Sequence, residues 1–169
     1  ALREVAEVGA TPITTEDVAF RIAPRLNAAG RLSRPELVVE LLTCDDPAEA
    51  RRLAHALDAA NRERREIESR VLDEALAQAE AAVGEHNPPG LVVAGQGWHA
   101  GVVGIVAARL VDRFQRPSLV VALDGDRGRG SGRTPLGIDL HAALGACAQG
   151  LERFGGHGMA AGFEVLADQ

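Results

Sequence analysis

Hydrophobic positions follow two different rules along this chain, and the change falls near residue 88. Before it, apolar residues recur at helical spacing. Leu53, Leu57, Ala60, Ile67, Val71, Ala75, Leu76, Ala79 and Val83 form the stripe that one face of an α-helix buries. Asp46 is a good N-cap for that helix, Pro47 suits its first position and Glu49 completes a capping pattern. Gly84 and the Pro88-Pro89 pair predict its end. Such a helix runs about 37 residues, or roughly 55 Å at 1.5 Å per residue. Its middle, "NRERREIESR", is charged almost all round, and apolar ends with a polar waist read as a helix bridging two bodies across solvent. The stripe is too broken for a coiled-coil arm. Upstream, residues 1–45 read as short helices, with Thr15 or Thr14 as N-cap before "EDVAFRIAPRL" and Pro24 interrupting.

From residue 90 the pattern turns α/β. "LVVAG" and "SLVVAL" are continuous apolar runs of strand length, and "GVVGIVAARLVDRF" between them is helical. "DRGRGSGRT" alternates, "GIDLHAALGACAQGL" reads as a helix and "GMAAGFEVL" as a returning strand. The predicted fold class is therefore α/β: a helical N-terminal segment, a long connecting helix, then a mixed β-sheet domain flanked by helices. The domain expectation is residues 1–45, 46–87 and 88–169.

Composition narrows this little. No apolar run approaches the roughly 18 residues of a membrane span, and no signal peptide opens the chain, so no membrane partner is expected. The opening "ALREVAEVGA" lacks an initiator Met and reads as the start of an excised fragment. Cys44 and Cys147 match no zinc or redox spacing, which suits a reducing cytoplasm.

Charge is more informative. The net value of −6 argues against a simple basic nucleic-acid binder. Yet "RIAPRLNAAGRLSR" carries Arg21, Arg25, Arg31 and Arg34 with no acid, and "RGRGSGR" carries Arg127, Arg129 and Arg133. Local basic patches on an acidic background can select an anionic ligand without indiscriminate DNA binding.

The alternation in "RGRGSGR" sends Arg127, Arg129, Ser131 and Arg133 to one strand face and Gly128, Gly130 and Gly132 to the other. Guanidinium forks and a hydroxyl suit phosphate oxygens, while the bare face admits a closely packed layer. A solvated, arginine-blunted edge strand reads equally well from the pattern alone. "GQGWHA" fits a loose dinucleotide fingerprint, but Trp98 and His99 are bulky where that turn is tight, and only one βαβ unit is present. Trp98 reads as a packing residue; His99, at a strand's carboxyl end, is better placed to meet a ligand. His55 and His86 read as solvated, and His141, after the N-cap candidate Asp139, as locally satisfied. His157 differs, because "FGGHGMAAGF" surrounds it with residues that have almost no side chain. Such clearance lets a ligand backbone come close; a tight helix-to-strand turn would explain the glycines but not the histidine.

Together, "APRLNAAGRL", "GWHAGVVGIVAARL", "GSGRTPLGIDLHAAL" and "FGGHGMAAGF" closely resemble the RecJ family of bacterial 5′-to-3′ single-strand DNA exonucleases. The last stretch resembles the GGH-x-x-AAG signature of the DHHA1 domain in the DHH phosphoesterase superfamily. The resemblance implies a chain carrying the end of a DHH domain, the connecting helix and a DHHA1 domain. It implies His157 at the scissile phosphate or its attacking water, Ser131 and Arg133 on the 5′ phosphate, and Asn27 and Arg31 lining the DHH side of the cleft. Arg129, His99, Gly155 and Gly156 complete the expected phosphate- and substrate-binding set. Mn²⁺ or Mg²⁺ is implied for the full-length enzyme, held by Asp and His ligands of the DHH motif. That motif is absent from this sequence, so no metal ligand and no cleavage by the chain alone are expected. Single-stranded DNA with a 5′ phosphate is the implied partner, in repair and recombination. A single-strand-binding protein and a helicase are further candidates, and the implied location is the bacterial cytoplasm, associated with the nucleoid. The alternatives are a related oligonucleotide or cyclic dinucleotide phosphodiesterase, a non-catalytic nucleic-acid-binding module, and a dinucleotide-dependent oxidoreductase through "GQGWHA".

Overall fold

In the computed structural model, which describes residues 1–9, 12–32 and 34–168, the chain divides into two compact units, Ala1–Glu66 and Ile67–Gln169. The division falls inside one continuous helix. Gln169, the end of the expected last domain, lies outside the described residues.

The first unit is helical: α1 (Leu2–Val5), a π-helical turn over Asp17–Ile22, α2 (Ala23–Arg31), α3 (Glu36–Thr43) and the start of α4 (Pro47–His86). Thr14 supplies the N-terminal cap before α2. Its hydroxyl accepts the Asp17 amide at 3.1 Å, and the Asp17 carboxylate accepts the Thr14 amide at 3.1 Å. Pro24 does not interrupt this segment, contrary to expectation. It sits in the first turn of α2, directly after the wide π turn, where its missing N–H is not needed. Leu53, Ala54 and Leu57 of α4 bury against Ala29 and Leu41. Arg25 ties this packing together: its Nε donates to Asp58 at 2.8 Å and its Nη atoms donate to the Arg21 and Val5 carbonyls.

Helix α4 has 40 residues and passes through Gly84, the expected stop, to end at His86. A single glycine costs only about 1 kcal/mol in a helix interior, which the flanking packing of Ala79 and Val83 offsets. Asn87, at φ 42°, then turns the chain out. Asp46 caps the start through the Ala48 amide, whereas Glu49 pairs with Arg52.

The second unit adds β1 (Leu91–Gln96), α5 (Ala100–Phe114), β2 (Ser118–Asp124), β3 (Arg127–Arg133), α6 (Leu140–Ala146), a short 3₁₀ turn (Ala148–Gly150), β4 (Arg153–His157) and β5 (Ala160–Leu166). The strands form one mixed sheet in the order β1-β2-β3-β5-β4, with β1 and β2 parallel and the remaining neighbours antiparallel. One face packs on α4 and α5 through Val71, Ala75, Val102, Val106, Leu110 and Val120. The other packs on α6 through Val121, Leu140, Leu144, Ala161 and Phe163.

Two local readings are corrected here. The helix expected over residues 137–151 shrinks to α6 and the 3₁₀ turn, because Gly137 (φ 93°) breaks the backbone and Asp139 caps only from residue 140. The strand expected over residues 158–166 forms as β5, but it is the second arm of a hairpin whose first arm, β4, is the unexpected "RFGGH". His157 thus ends a strand rather than occupying a helix-to-strand turn.

Candidate functional site

Strand β3 lies third of five in the sheet, so its arginines do not blunt an edge. The glycine face is filled as the alternation requires. A Cβ at Gly130 would overlap the Phe163 ring, one at Gly132 would lie 2.7 Å from Leu140 Cδ2, and one at Gly128 would lie 2.8 Å from Val121 Cγ1. The opposite face carries Arg129, Ser131 and Arg133. Helix α5 comes so close there that a Cβ at Gly104 would lie 3.0 Å from both Ser131 Oγ and Arg133 Nη2. Arg133 Nη1 donates to Ser131 Oγ at 2.9 Å and to the Gly132 carbonyl at 2.7 Å, which holds guanidinium and hydroxyl as one polar unit.

Register then assembles the rest. Directly paired residues of neighbouring strands share a sheet face. Arg133, Ala160 and His157 therefore form one row across β3, β5 and β4; Ser131, Gly162 and Gly155 form the next; Arg129, Glu164 and Arg153 form a third. His157 is exposed and stands on the same face as the arginine row. The two outer strands leave a cavity of about 440 Å³ beside α5, bounded by Ala100 and Val103, with Gly155 and Gly162 on its floor and Arg129, Ser131, Arg153 and Glu164 around it.

The glycines near His157 divide by cause. Gly156 is demanded by the fold, since its φ is 144° and a Cβ there would lie 2.6 Å from the Ala161 Cα. Gly155 is not, because a Cβ there would meet nothing within 4 Å. At Gly162 only the Gly130 carbonyl comes near, at 3.8 Å. Packing does not explain these two bare positions.

Of the expected set, Ser131, Arg129 and Gly155 line the cavity, Arg133 holds Ser131, and His157 closes the adjoining row. His99, half-buried, caps α5, its Nδ1 accepting the Gly101 amide at 3.0 Å, which leaves Nε2 to carry the ring proton of the neutral form. Asn27 and Arg31 are exposed on α2 in the first unit. Trp98 is buried, with Nε1 donating to Glu74 at 2.7 Å, and its ring covers Gly95 so closely that a Cβ there would lie 2.6 Å from Cδ2. The first glycine of "GQGWHA" thus makes room for the chain's own indole, which removes the ground for a dinucleotide site. His55 and His86 are exposed as expected. Among the described residues, no three His, Cys, Asp or Glu side chains cluster as a metal site, so these residues do not fit a divalent ion. No helix of the described residues is long and apolar enough to cross a membrane.

Arg153 and Glu164 were missed in the sequence. The period of two in "RFGGH" and again in "AAGFE" was the available signal, since two alternating runs around Gly158-Met159 predict a hairpin. Glu164 Oε1 accepts from Arg153 Nη2 at 2.6 Å, from Arg129 Nη2 at 3.0 Å and from Arg129 Nε at 3.2 Å. The Arg153 guanidinium, reinforced by Arg129, holds the Glu164 carboxyl below its ordinary value. A depressed folded-state value means the clasp contributes fully above the unfolded Glu value of about 4.3 and is lost as pH falls through the folded one. In a carboxyl ¹³C NMR titration, Glu164 is expected to titrate below the unfolded-chain Glu value of about 4.3. A midpoint at that value would show that the clasp does not hold in solution.

The model of the family described as "DHHA1 domain" matches residues 87–169. Two relatives, both named single-stranded-DNA-specific exonuclease RecJ, are each 43% identical: that of Bacillus subtilis (strain 168) over 90% of this chain and 20% of its own length, and that of Escherichia coli (strain K12) over 100% and 30%. This chain thus spans between a fifth and a third of the curated relatives it matches. RecJ of Thermus thermophilus in complex with Mg²⁺ superposes with a TM-score of 0.85 at 37% identity, covering 96% of this chain and 25% of that one. An exonuclease RecJ bound to manganese gives 0.82 at 37% identity, covering 96% and 40%.

Proposed function

Because the chain belongs to the RecJ family and carries a DHHA1 domain over residues 87–169, we propose that it supplies the phosphate-gripping face of a 5′-to-3′ exonuclease acting on single-stranded DNA. The observation that carries this reading is the common sheet face of Ser131, Arg133 and His157, with open glycines between them.

The roles follow from that face. Ser131 and Arg133 take the terminal 5′ phosphate, a hydroxyl donor and a planar fork directed at the same oxygens. His157, one row position across Ala160, stands roughly 10 Å from the Arg133 backbone at two strand spacings. That separation suits a second phosphate of the same strand, the scissile one, where an imidazole can hydrogen-bond a non-bridging oxygen or orient the attacking water. Gly155 and Gly162 let the sugar-phosphate chain lie against the sheet. His99 Nε2 offers a further donor at the start of α5. Asn27 and Arg31 belong to residues 1–45, read as the closing helices of a DHH-type body, and contact the DNA from there.

A divalent ion, Mn²⁺ or Mg²⁺, would activate the water and stabilise the leaving oxygen; its ligands would come from outside the described residues of this chain. The 169-residue chain is accordingly expected to bind but not to degrade 5′-phosphorylated single strands when Mn²⁺ is added. Release of nucleotides by the purified chain would refute that expectation. Binding is tested by titrating 3′-labelled single strands with and without a 5′ phosphate, followed by fluorescence anisotropy. Tighter binding of the phosphorylated strand is expected, and equal binding would sink the assignment of Ser131 and Arg133. A role in DNA repair and recombination, together with a helicase or single-strand-binding protein, belongs to the same reading, in a bacterial cytoplasm.

A further inference from the structure

We propose that Glu164 forms the far wall of the 5′-phosphate pocket and restricts it to a single phosphate, excluding 5′-triphosphorylated ends. The inference rests on the assignment of Ser131 and Arg133 to that phosphate.

The sheet register brings the wall into place. The row of Ser131, Gly162 and Gly155 is followed, two residues along each strand, by the row of Arg129, Glu164 and Arg153. Rows on one face are roughly 7 Å apart along a strand. Both rows line the same cavity beside α5, so a phosphate chain lengthened beyond Ser131 has this row before it.

Two arginines there would ordinarily extend the anion site. Both are already paired, however. Arg129 and Arg153 both donate to the same Glu164 oxygen, at 3.0 and 2.6 Å, and the carboxylate side chain is the least exposed of the three, at 22% against 65% and 71%. The carboxylate already occupies the position of an anion between the two guanidinium groups. A monophosphate on Ser131 and Arg133 stops one row short of it. Each additional phosphoryl group adds negative charge in the direction of a carboxylate fixed at the cavity wall. To enter, it must displace Glu164 from two charge-assisted partners. Like-charge juxtaposition of this kind rejects a ligand rather than attracting one.

Glu164→Gln tests the wall, because it removes the charge and keeps the side chain's size. Three 3′-fluorescein single strands of one sequence are titrated against the chain: 5′-hydroxyl, 5′-monophosphate and 5′-triphosphate. For the native chain the monophosphate is expected to bind about tenfold more tightly than the triphosphate, a difference of about 1.4 kcal/mol. In E164Q the two are expected to come within about threefold. Glu164→Asp, which retains the charge, is expected to keep discrimination. Native binding of the triphosphate as tight as the monophosphate overturns the proposal without recourse to any variant. An unchanged ratio in a folded E164Q overturns it as well. Equal binding of hydroxyl and monophosphate strands, or of none of the three, strikes instead at the underlying assignment, and the proposal goes with it.

Discussion

Arg133→Ala is expected to abolish the chain's preference for a 5′-phosphorylated single strand while leaving its affinity for the 5′-hydroxyl strand nearly unchanged. The guanidinium is placed before any ligand arrives: it is bonded to Ser131 Oγ and the Gly132 carbonyl, and α5 presses close at Gly104. Preorganisation of that kind lowers the ordering cost of binding. Hydrogen bonds to a charged group contribute about 1.5–3 kcal/mol, so affinity for the phosphorylated strand should fall roughly tenfold to a hundredfold. The salt dependence of binding should weaken by about one phosphate contact. Lysine should restore only part of the loss, because a point charge does not reproduce a planar fork. The measurement is the ratio of the two dissociation constants, with thermal melting to confirm that the variant folds. A preference that survives the substitution would move the phosphate elsewhere.

Gly130→Ala is expected to produce the largest loss of stability at any glycine of β3. The added methyl would meet three atoms of the Phe163 ring, and even the farthest, Cε1, would be 2.7 Å away. Phe163 is buried among Val121, Leu140, Leu144 and Ala161 and cannot swing out without emptying that cluster. Overpacking costs typically 1–3 kcal/mol, and this site lies near the top of that range because backbone and ring are both fixed. About 3 kcal/mol corresponds to a drop in Tm of roughly 12–24 °C for a unit of about 100 residues. Gly155→Ala is the internal control. Its methyl projects into open space, so melting should be unchanged within a few degrees. A Gly130→Ala chain that melts like the native one would contradict the packing of the sheet on α6.

Much of this architecture can be read from local patterns. A helical stripe from Leu53 to Val83 requires only that residues three and four apart share a face, which a helix guarantees wherever it sits. Likewise, alternation in "RGRGSGR" separates arginines from glycines in any extended segment, and both faces are used as that alternation implies. Trp98 was legible as a packing residue because an indole in a glycine-rich turn has to cover something. Helix ends were read less well. Gly84 was overridden by the packing of Ala79 and Val83 in the turns before it, and Pro24 was absorbed by a π turn that nothing in its own neighbourhood announces.

Glu164 shows where local reading stops. Nothing near "GFEVL" ties its carboxylate to Arg129, 35 positions earlier. Nor does anything near "RFGGH" place His157 on the same face as Arg133. Both facts depend on β5 inserting between β3 and β4, a choice among strand orders made by burial of Phe163 against the bare side of β3. The sequence by itself determined which residue types each segment presents and in what alternation, because side-chain direction is a property of a few adjacent dihedral angles. Only the tertiary structure decided which segments became neighbours, because pairing across a sheet is set by long-range burial that no local spacing records.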